Sequence, residues 1–492
     1  MLHASSSSPG ATVDLGPATA VVRRLIVGTA IATLAACGTG GKSTDPFVAS
    51  PSPDCSPPGT PVVSAASAPA GPATEPTVCQ QPIIQSALPA SQVKHLGTVP
   101  VNRTAAFDVP PATGSFTIVL QAVTASTADV TFVGAPPLPN APVPLKITDP
   151  AGGTFYDDTS TPLDPTRANA VYRGGRQGWG TFTAPNSAPT LSAWARGVPA
   201  GRWSFVVGDY AAECQNLGPA GCTAGANTSG VYDVTVLLRP GPVPTTGTID
   251  VDFYLATAQF SASTAVTDPG MARMVSTLSA IYANAGICLG KVTFIDLPAW
   301  AKAKYSTLDA TDRGPCGALA QLFTLSLPDA ALPLFLVDQL QNLNKLGQYE
   351  YVVGIDAAIP GPSSMGSTVV SGAAIGISCV GPGSCAAGVV DPDKVAAVAA
   401  HEGGHWLGLF HTTEENGAVF DPLSDTGVCD CSQCVAEAYR SSCGTSSAEV
   451  GTAVCSTGGS CSGGDNLMFW LMGGTAISAQ QAQVMRANPL VR

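Results

Sequence analysis

The stretch Val395-Ala396-Ala397-Val398-Ala399-Ala400-His401-Glu402-Gly403-Gly404-His405-Trp406-Leu407-Gly408-Leu409-Phe410-His411 decides how the chain reads. Its alanine-rich lead favours helix. At about 100° per residue, His401 and His405 then fall one turn apart on one face, where two imidazoles can grip a single ion. Glu402, next to the first of them, is placed to act on a water polarised by that ion without ligating it. Gly408 tolerates a positive φ, so the chain can leave the helix there and bring His411 back as a third nitrogen ligand. Three protein ligands leave a fourth position open, the arrangement of a catalytic rather than a structural zinc. The chain holds only 5 His, so three His, one Glu and one Gly would meet at these offsets by chance with odds on the order of one in a million.

Working outward, the 492 residues suggest roughly two or three domains. Charged residues make up 11% and the chain carries 53 Gly and 42 Pro, a composition that fits an exported, β-rich protein with long loops. The net charge of −12, with 22 Lys and Arg spread without clusters, excludes a nucleic-acid binder. No apolar run reaches the length of about 18 residues that a membrane span needs.

Arg23 and Arg24 precede the apolar run Leu25 to Leu34, the charged and hydrophobic parts of an export signal. Leu34-Ala35-Ala36-Cys37 follows and resembles the bacterial lipoprotein signal, which implies lipidation of Cys37. The alternative is an ordinary signal with Cys37 incidental. Residues 1–36 are thus expected to be a signal peptide and 37–92, rich in Ser, Pro and Ala, a disordered tether. The lipid would be the protein's sole membrane contact, on a cell-surface or outer-membrane lipoprotein or one later released.

Of 15 Cys, 14 remain if Cys37 carries the anchor, an even number suited to an oxidising compartment. Spacing suggests local loops: Cys55 with Cys79, Cys214 with Cys222, Cys288 with Cys316 and Cys379 with Cys385. Cys429, Cys431, Cys434, Cys443, Cys455 and Cys461 cannot be connected from sequence. A structural zinc on Cys429, Cys431 and Cys434 is the alternative to disulfides there, and a thiolate from Cys55 or Cys79 capping the active-site metal is the alternative to their pairing.

Residues 93–240 show short alternating runs between turn signals, which predicts an all-β antiparallel sandwich. Val198 to Phe205 and Ser229 to Val234 are similar to the jelly-roll modules that flank secreted bacterial peptidases. Trp179, Trp194 and Trp203 there would serve either as sandwich core or as a sugar- or peptide-binding platform. Beyond a Pro/Thr linker, residues 246–492 alternate strands (Ile249 to Leu255, Lys291 to Ile295, Leu334 to Val337, Ala373 to Ile377) with helices (Met271 to Ala285, Gly317 to Phe323), an α/β (α+β) arrangement.

H-E-x-x-H-x-x-G-x-x-H resembles the signature of the metzincin zinc peptidases. Asp465-Asn466-Leu467-Met468-Phe469-Trp470 looks like their Met-turn, with Met468 as the floor of the zinc site. Asp421 to Thr426 and Ile477 to Arg486 look like the pappalysin branch. The resemblance implies a zinc endopeptidase in which His401, His405 and His411 hold Zn2+ and Glu402 is general base. It also implies that Ala373, Ala374, Ile375 and Gly376 form the edge strand that aligns an extended peptide substrate, and that Glu414, Glu415, Asp421 and Asp425 bind Ca2+. A solvated acidic loop is the other reading of those four carboxylates. Trp470 stands where metzincins often carry a Tyr that stabilises the reaction intermediate, and Gly403 stands where a helix former is usual, Gly403 and Gly404 each costing about 1 kcal/mol relative to Ala. A reading from another class is a surface adhesion or glycan-binding lipoprotein with the peptidase fold as inert scaffold. No partner subunit is implied, and oligomeric state stays open.

Overall fold

The computed structural model describes residues 61–67, 70–80, 86–123, 141–157, 175–176, 178–210, 230–312, 314–343, 349–378, 391–415, 417–443, 450–459 and 461–492. The expected signal segment, Cys37, Cys55 and the pairs Cys214 with Cys222 and Cys379 with Cys385 lie outside them. No helix among the described residues is long and apolar enough to cross a membrane.

After β1 (Val62–Ala65), alternating runs form β2 (Val93–Pro100), β3 (Thr104–Val109), β4 (Thr113–Ala122), β5 (Ala141–Thr148), β6 (Thr154–Asp157), β7 (Gly175–Arg176), β8 (Trp179–Ala184), α1 (Ala188–Ala193), β9 (Gly201–Tyr210) and β10 (Val231–Pro240). The strands β2 to β10 pair antiparallel in two sheets, ordered β2-β10-β4-β8-β7 and β3-β9-β5-β6. The expected sandwich is therefore present. Phe116, Ile118 and Leu120 of β4 and Val234, Val236 and Leu238 of β10 meet Phe107, Trp203 and Phe205 in its core. Trp179 and Trp203 are fully buried and serve as packing, while the partly buried Trp194 meets Trp203 edge to face at 5.5 Å.

The other face of the five-stranded sheet is buried as well, and its Ser and Thr residues only look like a solvent face in sequence. Val119, Trp179 and Leu237 join a core cluster with Tyr254 and Phe335 of the second half. Ser115 Oγ donates to Ala487 O at 2.5 Å, Thr181 Oγ1 to Pro360 O at 2.6 Å and Arg239 Nη2 to Val491 O at 3.1 Å. The sandwich is fused to its neighbour by apolar burial and by paired polar groups.

That neighbour runs β11 (Gly247–Ala256), α2 (Ala262–Ala265), α3 (Pro269–Ala283), β12 (Ile287–Asp296), α4 (Ala299–Tyr305), β13 (Thr307–Asp309), α5 (Ala318–Phe323), β14 (Ala331–Val337), β15 (Gln339–Leu343), β16 (Tyr349–Val352), β17 (Gly354–Asp356), β18 (Ala373–Gly376), α6 (Pro392–Trp406), α7 (Cys431–Cys434) and α8 (Ala479–Ala487). Its main sheet has the order β1-β12-β11-β14-β18-β17. All pairs are parallel except β17 on β18. Parallel strands need cover on both faces, and the side chains divide accordingly. Val251, Phe253, Leu334, Leu336 and Ile375 pack with α3 and α6, and Tyr254, Phe335 and Ala374 pack with α4 and α5.

The expected structureless tether fails over residues 62–67 and 70–80. β1 adds to the free edge of β12, which asks only for backbone pairing, and Ala66 N continues it by donating to Phe294 O. Ala70 is buried, Trp300 Nε1 donates to Pro72 O, and Gln80 N donates to Gln321 Oε1. This path carries Cys79 to Cys316, 237 residues away, and the two form a disulfide. The local pairings Cys55 with Cys79 and Cys288 with Cys316 are thereby corrected; Cys288 is disulfide-bonded elsewhere. The last cysteines pair Cys429–Cys455, Cys431–Cys443 and Cys434–Cys461, leaving no thiolates for a structural zinc there and none on Cys79 to cap the active site.

Candidate metal centre

Helix α6 starts where sequence chemistry says it should. Asp391 accepts from Lys394 N as N-cap and Pro392 occupies the first helical position. It ends at Gly408, with φ 108°. Leu409 N donates to Gly404 O and Gly408 N to His405 O, the two bonds of a Schellman cap. The turn sends Leu409, Phe410 and His411 back along the helix. Gly403 and Gly404 are explained by close approach. A Cβ on Gly403 would lie 2.1 Å from Tyr282 Oη of α3, and one on Gly404 would lie 2.6 Å from Met468 Sδ.

Three imidazoles converge. His401 Nδ1 lies 2.6 Å from Leu467 O and His405 Nδ1 lies 2.7 Å from Leu409 O. A carbonyl oxygen only accepts, so each Nδ1 carries the proton and each Nε2 presents a lone pair. His411 Nδ1 lies 3.1 Å from Glu414 Oε1. The Nε2 atoms point inward: that of His411 is 3.2 Å from that of His401 and 3.1 Å from that of His405. Burial pushes His401 down to about 3 and His405 to about 4, and holds His411 well below its ordinary value. All three rings are therefore neutral at physiological pH. Lone pairs packed this closely repel unless a cation sits between them. Tetrahedral zinc with metal–nitrogen bonds of about 2.0–2.1 Å separates its ligand nitrogens by about 3.3 Å, so the donor set and its spacing fit that ion.

Met468 is fully buried against Gly404 of α6, and its carbonyl accepts from Thr412 N. The same turn supplies the Leu467 carbonyl that orients His401, and Asn466 ties it to Gln481 of α8. Trp470 turns away: its Nε1 donates to Val450 O at 2.7 Å, so the indole offers no donor to a reacting carbonyl.

Glu402 is buried beside His401, its carboxylate pressed against β17. A Cβ on Gly354 would lie 2.4 Å from Glu402 Oε1. The expected edge strand is corrected here. Ala373, Ala374, Ile375 and Gly376 form β18, which is fully buried and flanked by β14 and β17. The edge is β17, whose partly exposed residues Gly354–Asp356 lie next to Glu402. Sequence reasoning missed it, although Tyr351-Val352-Val353-Gly354-Ile355 is an apolar run that could have signalled it.

The structure does not gather the four carboxylates proposed for calcium. Glu414 faces His411 and Glu415 is exposed. Asp421 Oδ1 accepts from Leu423 N and Thr426 Oγ1 within its own turn, and Asp425 accepts from Ser478 Oγ and Gln480 N at the start of α8. Burial and then Glu415 push Glu414 up to about 8, a shift that a cation among the histidines would oppose. Among the described residues, His401, His405 and His411 are the only group of three or more such side chains close enough to share a metal.

No family model matches the chain, nor does any curated protein sequence. Among solved structures, the crystal structure of metalloproteinase-II from Bacteroides fragilis is similar over 39% of this chain and 57% of that one, at 14% identity and a TM-score of 0.20, an overlap too slight to assign a fold.

Proposed function

We propose that the chain is a zinc-dependent endopeptidase of the metzincin type, closest in motif to the pappalysin branch, exported and anchored through a lipid on Cys37. One observation carries the reading: His411 Nε2 lies within 3.2 Å of the Nε2 atoms of His401 and His405, with Glu402 following His401 directly on α6. His401, His405 and His411 would hold Zn2+, which would supply Lewis acidity toward a water and the scissile carbonyl.

The chain's own groups do the rest. Glu402 takes the proton from the attacking water and passes it to the leaving amine. Its carboxylate lies against Gly354 of β17. The outer edge of β17, beyond its pairing with β18, offers backbone groups to an extended peptide, which suits a protein substrate. Trp470 leaves oxyanion stabilisation to groups other than the side chain at its position. Burial of Trp179 and Trp203 leaves only Trp194 of the three rings at the surface, which weighs against a glycan-binding platform.

The test is cleavage of an unfolded protein mixture by the full chain, with and without a zinc chelator, beside Glu402→Ala. Chelator-sensitive cleavage, abolished in Glu402→Ala with zinc retained, is expected. Full activity in that variant would sink the assignment of Glu402.

A further inference from the structure

We propose that Glu414 is the positioning residue of the metal centre, holding His411 in the tautomer and orientation that ligation needs. The inference rests on the zinc reading above. His401 and His405 sit on α6 and their Nδ1 atoms are fixed by main-chain carbonyls, those of Leu467 and Leu409. His411 lies beyond the helix end, so the helix does not set its ring. Its Nδ1 instead meets a side chain, Glu414 Oε1 at 3.1 Å.

Glu414 is itself held firmly. Its N–H donates to Val419 O and its carbonyl accepts from Gly417 N, in a tight turn closed by the Thr413–Phe420 bridge. That turn is tied to the disulfide-linked segment, since Cys431 N donates to Gly417 O and Val450 N donates to Glu415 O. The carboxylate is thus presented on an anchored loop and not on a free side chain at the surface. Accepting from Nδ1–H, it leaves the His411 Nε2 lone pair facing the other two. Without it the ring is free to exchange tautomers and to turn about χ2. Loss of such an outer partner typically lowers metal affinity 10–100-fold.

The experiment measures the zinc dissociation constant of the full chain by competition with a chromophoric chelator, for the wild type, Glu414→Gln and Glu414→Ala, with circular dichroism of the metal-free forms as the check on folding. Glu414→Ala should bind zinc about 10–100-fold more weakly. Glu414→Gln, which keeps an acceptor oxygen of similar reach without the charge, should fall between the two, and it serves as the test if the Ala variant does not fold. Nitrogen-15 shifts of the His411 ring in the metal-free protein, recorded above about pH 8 where Glu414 is ionised, should report the Nδ1–H tautomer in the wild type and a mixture in Glu414→Ala. Wild-type affinity in both folded variants overturns the proposal and leaves the zinc reading intact. A wild-type chain that takes up no zinc overturns the zinc reading, and the proposal with it.

Discussion

Replacing Gly403 by Ala should destabilise the protein although alanine is the better helix former, and deleting the Tyr282 hydroxyl should reverse the sign. A Cβ at residue 403 would lie 2.1 Å from Tyr282 Oη, 2.9 Å from Leu332 Cδ2 and 3.4 Å from Tyr282 Cζ. The leucine methyl ends a flexible side chain and can yield. The tyrosine ring is fully buried between α3 and α6 and cannot swing aside, so the helix must move by more than 1 Å to restore ordinary contact at about 3.5 Å. Overpacking of this kind costs about 1–3 kcal/mol, while the gain in helix preference is about 1 kcal/mol. The net expectation is a loss of up to about 2 kcal/mol. In Tyr282→Phe the colliding atom is gone, and what it gives up is a long bond, 3.5 Å to Ala400 O. In that background Gly403→Ala should range from neutral to about 1 kcal/mol stabilising, a coupling of about 2 kcal/mol between the two sites. Urea unfolding midpoints of the four metal-free proteins measure this cycle. Equal effects of Gly403→Ala in both backgrounds would refute the packing of α6 on α3 described above.

Gly354→Ala should push Glu402 out of place, since the new Cβ would sit 2.4 Å from its Oε1; turnover should fall at least about 10-fold at unchanged zinc content, and undiminished turnover would show that β17 does not position the base. Burial first, then Asp329, hold Asp252 well above the usual carboxylate range, so the native state keeps a proton that the unfolded chain releases above about pH 4. Stability should therefore decline as pH rises from there, by about 1.4 kcal/mol per pH unit at most. Asp252→Asn should flatten that decline in melts between about pH 5 and pH 8, and the same slope in both proteins would count against it. The fragment 246–492 should aggregate or melt well below the full chain, because it uncovers the surface now packed by Val119, Trp179 and Leu237; a soluble fragment with the full chain's melting temperature would show that the sandwich contributes nothing to it.

The site was more legible in sequence than the architecture around it. His401, Glu402, His405, Gly408 and His411 lie within eleven residues, so helical geometry and one glycine turn were enough to bring them together. The glycine pair that looked unfavourable for a helix is accounted for by Tyr282 and Met468, contacts that no local pattern reveals. Strand order was not legible, because a parallel sheet is set by crossovers; β18 therefore passed for the edge while the three residues of β17 escaped notice. Disulfide pairing by proximity in sequence failed at Cys79 because β1 carries its segment across the sheet. Ser115, Thr117, Thr181 and Thr183 alternate with apolar residues as on a solvated strand face, and only docking of the two halves shows them to be buried. Glu414 was read as one of four acidic residues of a loop, and its contact with His411 emerged only with the turn that presents it.

The most direct test of the central claim is the zinc content of the purified full chain beside His401→Ala, His405→Ala and His411→Ala. One zinc per wild-type chain, lost on dialysis from each of the three variants while all remain folded, is the expected result. A wild-type protein without zinc, or one whose zinc survives all three substitutions, would contradict it.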